Sequence, residues 1–277
     1  MRAPYATVAA RCVDPSKCPF RDDGEVKFQL ARGEVVWLQG PSGVGKTTLA
    51  AEVAGLGSAR RLGIHVTVEW DASIDKRERV GALFQQTTLV DALSVGGNVA
   101  NALAACGVHS VEEPKRLVEA VGLDWARDGR KMPQELSGGM ARRASLALQL
   151  AQRKRVVVLD EPFTGIDVKT EDQIINLLNE FRKEGKVMLI STHNLGSVPE
   201  FCDRSILIKG TILKYGLTEN VFTRENLENA FGGVLRHFSL GGRDLHEDGD
   251  KREVSILTDD ERPFVQYGNV PLKKDKK

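Results

Sequence analysis

The sequence has no apolar run near the roughly 20 residues that a membrane-crossing helix requires. A role at a membrane would therefore need another chain to supply the spanning part. Cysteine is sparse: Cys12, Cys18, Cys106 and Cys202 are scattered, with no pairing pattern. They read as free thiols in a reducing compartment rather than as a disulfide framework. Cys12 and Cys18 could open a metal pair, but no second pair with zinc spacing follows. An excess of one charge is also missing. Lysine and arginine number 39 against 38 aspartates and glutamates, a formal net charge of +1. A dedicated nucleic-acid binder carries a basic excess, so nucleic acid is not expected as a partner. The start, "MRAPYATVAARC", lacks the apolar core of a secretory signal peptide. No internal repeat is visible.

What is present is a chain of 277 residues, long enough for a substantial core, in which short β-branched runs alternate with helical patterns. "EVVWLQG" (34–40), "RVVVLDEP" (155–162), "KVMLIST" (186–192) and "RSILIKG" (204–210) read as buried strands. "KTTLAAEVAG" (46–55) reads as a helix ending at Gly55, and "TEDQIINLLNEFRKEG" (170–185) as an amphipathic one. In the latter, Ile174, Leu177, Leu178 and Phe181 share a face and Gly185 ends the element. Strands alternating with helices predict an α/β fold with a mainly parallel sheet covered on both faces. Alternating apolar residues in 1–32 predict a small N-terminal antiparallel sheet. The region of about 86–140 has few strand signals and several helical ones, such as "KRLVEAVGL" (115–123), and "MARRASLALQLAQR" (140–153) continues the helical pattern. It reads as a helical insertion. The main domain is expected over 1–216, and a C-terminal extension over 217–277 ending in a disordered basic tail, "PLKKDKK".

The chemistry begins at "GPSGVGKTT" (40–48), which fits G-x-x-x-x-G-K-[ST]. Gly40, Pro41, Ser42, Gly43, Val44, Gly45, Lys46, Thr47 and Thr48 form a loop between a strand and a helix. Such a loop lets successive backbone N–H groups point at phosphate oxygens, with the helix dipole behind them. Lys46 would reach the β- and γ-phosphates and the Thr47 hydroxyl would bind Mg²⁺. By background frequencies the pattern arises by chance in about one chain in a hundred of this length. The strand–helix setting separates it from a plain glycine turn. About a hundred residues later the apolar run of "VVVLDEP" leads into two adjacent acids. Buried adjacent acids are costly without a cation. Asp160 can hold the Mg²⁺ shell, and Glu161 can orient or deprotonate the attacking water.

The P-loop, "LSGGM", "VVVLDEP", "GID" and "STHN", in that order over about 33–210, resemble the nucleotide-binding subunits of ABC transporters. The resemblance implies ATP and Mg²⁺ as cofactors and a P-loop NTPase core with an N-terminal antiparallel subdomain and an inserted helical one. It implies ATP hydrolysis coupled to transport, with two copies, or a paired ABC ATPase, closing on each other. In the "LSGGM" turn of Leu136, Ser137, Gly138, Gly139 and Met140, Ser137 and the two glycines would then contact the γ-phosphate held by the other copy. Met140 stands where the family usually has Gln, which removes one polar contact. Gln85 resembles the glutamine that senses Mg²⁺ and water, with Gln86 its rival by one place. His193 resembles the switch histidine that orders Glu161, and Asp167 the acid that communicates across the dimer. Phe20 is the candidate to stack on adenine, with Tyr5 in reserve. The implied partners are transmembrane permease subunits and a substrate-binding protein. The implied place is peripheral, on the cytoplasmic face of a bacterial plasma membrane or of an organelle membrane.

Two finer resemblances compete. "DEPFTGIDVKTE", "STHNLGSVPEFCDR", "VFTRENLENAFGGVLRHF" and "LTDDERPFVQYG" are similar to the ATPases of bacterial manganese/iron importers, and this likeness runs well past the shared motifs. "MPQELSGGMARRASLA", with Arg142 and Arg143, is instead similar to the ATPases of lipid-trafficking importers. The metal importer is the favoured expectation. A soluble ABC assembly ATPase is a further alternative. A DNA-repair ATPase would carry a long coiled-coil insertion, a ribosome-associated relative two cores, and a non-hydrolysing regulator would lack Glu161 or His193. His237 and His246 carry no weight toward the cargo, because in these transporters the ATPase does not bind it.

Overall fold

The computed structural model describes residues 3–12, 26–41, 43–57, 64–84, 88–191, 201–209, 212–231, 236–240, 254–258 and 264–267. Its centre is a six-stranded sheet in the order β5-β6-β7-β3-β8-β9. The strands are β3 (Val35–Gln39), β5 (Val80–Leu83), β6 (Val156–Asp160), β7 (Val187–Ser191), β8 (Arg204–Ile208) and β9 (Ile212–Leu217). The first five are mutually parallel, and β9 closes one edge antiparallel to β8. β3, β6 and β7 are buried along their whole length.

That burial explains their continuous apolar sequences. Side chains alternate across a sheet, and here each set feeds its own core. Trp37, Val157, Leu159, Met188 and Ile190 enter one cluster. Val36, Leu38, Val156, Val158, Val187 and Leu189 enter the other. A strand covered on both faces has no polar side to show. The sheet class expected from the sequence is therefore the observed one.

The second cluster joins the sheet to α1 (Lys46–Val53) and to a three-stranded antiparallel sheet. That small sheet has the order β2-β1-β4, with β1 (Pro4–Cys12), β2 (Val26–Ala31) and β4 (Ile64–Trp70). Residues 1–32 supply two of its strands, as expected; β4 arrives from beyond α1 and is an addition. The first cluster joins the main sheet to α2 (Val95–Ala105), α3 (Glu112–Ala120), α5 (Gly138–Ala151) and α6 (Val168–Lys183), with the short α4 (Trp125–Asp128) at its edge. Among the described residues no strand lies between β5 and β6.

Helix ends follow local chemistry. The Ser94 hydroxyl accepts from the Gly97 N–H at 3.1 Å and starts α2. Asp167 starts α6, whose buried stripe of Ile174, Leu177, Leu178 and Phe181 is the one predicted. Gly185, at φ 85°, turns the chain out of α6 and toward β7. Asn98, buried in α2, bonds Val90, Leu93 and Ser94 and holds the turn before its own helix. Beyond β9 come the helices Thr218–Val221 and Arg224–Phe231. The strands Arg236–Leu240, Val254–Thr258 and Phe264–Tyr267 pair antiparallel in a separate sheet. No helix among the described residues is long and apolar enough to cross a membrane. Cys106 is a free thiol, and Cys202 is buried in the first cluster.

Phe181 tests the docking of α6. Removing a buried aromatic ring in Phe181→Ala is expected to cost about 3–5 kcal/mol of unfolding free energy in urea titrations. A loss under about 1 kcal/mol would mean that α6 does not depend on this core.

Candidate nucleotide-binding and catalytic site

β3 leads directly into the phosphate loop. A side chain at Gly40 would place its Cβ 2.1 Å from the Ile208 carbonyl oxygen, so only glycine lets the loop lie against β8. Gly43 (φ 77°) and Gly45 (φ 101°) occupy the left-handed region, which glycine enters without steric penalty. Gly45 caps α1 with no side-chain hydrogen bond. The first N–H groups of α1 are thus a ready anion site. Lys46 is largely buried and stretches back over the loop, where Nζ donates to the carbonyls of Gly40 at 2.6 Å and Pro41 at 3.0 Å. The loop thus brings together a cation, the start of a helix and an open glycine, Gly43. These are the demands of a polyphosphate.

Asp160 ends β6 at 2 % exposure. The Thr47 Oγ1 hydroxyl donates to one carboxylate oxygen at 2.9 Å, and the Ser191 hydroxyl donates to the other. A buried carboxylate beside a threonine hydroxyl is a hard-oxygen donor set, suited to Mg²⁺. Ser191 stands directly opposite Asp160 in the β6–β7 register.

Glu161 follows with φ 55°, one of two non-glycine residues at positive φ among those described. Such a conformation costs roughly 1–3 kcal/mol and persists only when its surroundings hold it. Its N–H donates to the Ser191 carbonyl at 3.0 Å and to Ser191 Oγ at 3.2 Å. Arg142 Nη2 donates to the carbonyls of Asp160 at 2.8 Å and Glu161 at 2.5 Å.

Ser137, Gly138 and Gly139 form an exposed turn at the start of α5. The Ser137 hydroxyl accepts from the Met140 N–H at 3.3 Å. A Cβ added at either glycine would meet nothing within 4 Å, so the turn is open to a large ligand. Leu136 and Met140 turn inward and pack on the helical core. Met140 thus acts as an anchor where the resemblance would put a polar contact. Asp167 is exposed and accepts from the Thr170 hydroxyl at 2.7 Å and the Thr170 N–H at 3.0 Å. The hydroxyl first and then the N–H hold its carboxyl below the ordinary aspartate value. Asp167 therefore already has a structural task as the cap of α6.

Two residues central to this geometry were not picked out from sequence. Ser191, within the predicted strand "KVMLIST", donates to the Asp160 carboxylate and accepts from the Glu161 N–H. Arg142 looked like a mark of kinship, yet it holds the backbone of both. One expectation is corrected. Tyr5 is buried, with the Arg32 guanidinium 4.8 Å above its ring and its hydroxyl beside Gly185. Arg32 precedes β3 and Gly185 precedes β7, so Tyr5 lies at the end of the sheet opposite the phosphate loop. It cannot stack on a base bound there. Phe20, Ser42, Gln85, Gln86 and His193 lie outside the described residues.

The ABC transporter family model matches residues 24–164. The chelated iron transport system membrane protein YfeB of Yersinia pestis is 42% identical over 257 residues, 89% of this chain and 86% of that protein. The manganese transport system ATP-binding protein MntA of Synechocystis sp. is 40% identical over 212 residues, 73% of this chain and 80% of that protein. Among solved structures, an inward-facing transporter assigned to the metal-chelate type superposes with a TM-score of 0.64 at 20% identity, covering 98% of this chain and 99% of that one. An ATP-binding subunit of an ABC transporter gives 0.64 at 21% identity, covering 80% and 94%.

Gly40 provides the sharpest check of the loop. In Gly40→Ala the new methyl collides with backbone, so stability should fall by about 1–3 kcal/mol and nucleotide binding should be lost. Gly138→Ala, which meets open space, should leave the melting temperature unchanged or raised. Equal behaviour of the two variants would contradict the packing of the loop on β8.

Proposed function

This chain belongs to the ABC transporter family, and on that footing we propose that it is the ATP-hydrolysing subunit of an importer of manganese or iron ions. The observation that carries the cargo assignment is the 42% identity with an iron-transport protein over 257 residues, a span too long to stop at the shared motifs. The signature segment "MPQELSGGMARRASLA", similar to lipid-trafficking ATPases, covers 16 residues and weighs less. No ATP chemistry separates the two readings, because the cargo is chosen by partner chains.

In this reading two copies close face to face, and each phosphate loop meets the Ser137–Gly139 turn of the other. ATP would supply the γ-phosphoryl group, and Mg²⁺ would supply positive charge to offset that of the phosphates. The protein's own work is positioning and charge. The N–H groups at the start of α1 and the Lys46 ammonium hold the phosphates. Thr47 and Asp160, already in contact through the Thr47 hydroxyl, would hold the metal through their oxygens. Glu161 takes the proton of the attacking water, with Gln85 and His193 ordering water and γ-phosphate. Asp167 faces the partner copy while capping α6. Phe20 is the residue proposed to stack on adenine.

Closure pulls on permease subunits that contact the helices between β5 and β6, and a substrate-binding protein delivers the ion from the far side. The chain sits peripherally on the cytoplasmic face. Residues 1–216 form the nucleotide-binding unit and 217–277 an extension.

Lys46→Ala is expected to abolish ATP binding. Glu161→Gln is expected to bind ATP normally, lose about 10²- to 10⁴-fold in turnover, and accumulate as an ATP-bound dimer on size exclusion. Hydrolysis by Glu161→Gln at the normal rate would remove Glu161 from its role. Glu161→Gln trapped with ATP in native membranes should co-purify a metal-type permease, and cells carrying it should lose uptake of radiolabelled manganese or iron. A lipid-type permease with intact metal uptake would overturn the cargo assignment. Soluble partners alone would overturn transport.

A further inference from the structure

Glu161 is held in a conformation that its own residue type disfavours, and the Arg142 side chain, from α5, meets its peptide. The left-handed turn at φ 55° brings the carbonyls of Asp160 and Glu161 to a common point. Arg142 Nη2 occupies that point, at 2.8 and 2.5 Å. Arg142 Nε is buried without a hydrogen-bond partner, so the fold accepts a partly satisfied guanidinium to keep this contact. Arg142 also lies on α5 only five residues beyond Ser137, about 7.5 Å along the helix axis.

We propose that Arg142 is a positioning residue that ties the orientation of the Glu161 carboxylate to the position of helix α5 in the same chain. The proposal rests on Glu161 acting on the attacking water and on the Ser137 turn meeting the partner's nucleotide. Movement of α5 when its exposed start takes up the partner's phosphate is transmitted over five residues to the peptide that aims Glu161. Each half-site thereby reports to the other through one side chain. On the P-loop side, Ser191 grips the Glu161 N–H; Arg142 grips the carbonyl, and together they hold the peptide at both ends. Without Arg142 the turn relaxes toward ordinary φ and the carboxylate swings away.

The test uses the full chain. Arg142→Ala should lower kcat by on the order of 10- to 100-fold, the scale expected of a misplaced catalytic group. KM for ATP and the ATP-dependent formation of dimer should be unchanged within about twofold. Arg142→Lys, which keeps the charge and one reach to a carbonyl, should recover part of the loss. The double variant Arg142→Ala/Glu161→Gln should be no slower than Glu161→Gln alone, because Arg142 acts through Glu161. Losses that multiply in the double variant, an unchanged kcat in Arg142→Ala, or a raised KM with kcat intact would each overturn the proposal. If Arg142→Ala does not fold, Arg142→Lys carries the same cycle. Failure of the Glu161 reading itself is seen separately, as normal turnover by Glu161→Gln.

Discussion

The Asp160 carboxylate, buried at the end of β6, is the point on which the site turns. Burying a charge is costly unless it is bonded, and here two hydroxyls meet it. One, Thr47, comes from the first turn of α1; the other, Ser191, comes from the end of β7. Those two bonds tie the helix that follows the phosphate loop to two adjacent strands. They can form only because β6 and β7 pair in the register that sets Asp160 against Ser191. A shift of one residue would turn Asp160 to the opposite face. Sheet register and the donor set for a metal are thus one constraint.

Around that point the chain divides its labour by sheet face. One face carries α1 and the small antiparallel sheet, the other the helices between β5 and β6 together with α6. The phosphate loop belongs to the first face. The open turn at Ser137 belongs to the second. Arg142 reaches from the second back to the strand ends, where open α/β sheets bind their ligands. The architecture therefore suits a reaction in which one copy offers phosphate ligands and another offers the lid.

Much of this was legible in the residues. "EVVWLQG" and "VVVLDEP" are short, apolar and β-branched, as strands covered on both faces are, and the glycine spacing around Lys46 fits a phosphate loop. The stripe in α6 was readable for the same reason: a period of 3.6 leaves a buried face. "IHVTVEW" does alternate apolar and polar residues as a half-buried strand does, but its pairing with β1, more than fifty residues away, is not encoded in any local pattern. β5 is only four residues long and contains Gly81. The parts of Ser191 and Arg142 depend on register and on helix docking, which no local pattern encodes. Tyr5 misled because an aromatic residue near the start of the chain has two destinations, core or ligand, and only the direction of β1 decides between them.

The central claim is that one chain carries two halves of two different sites. Mixing two inactive copies tests it: Lys46→Ala, which keeps the Ser137 turn, and Gly138→Asp, which keeps the phosphate loop but puts an acid where phosphate should dock. In a mixed dimer one composite site has both intact halves. The account predicts that each variant alone is inactive and that ATP hydrolysis returns on mixing. Mixed copies that stay as inactive as the separate ones would contradict it, as would a Gly138→Asp protein that hydrolyses ATP unaided.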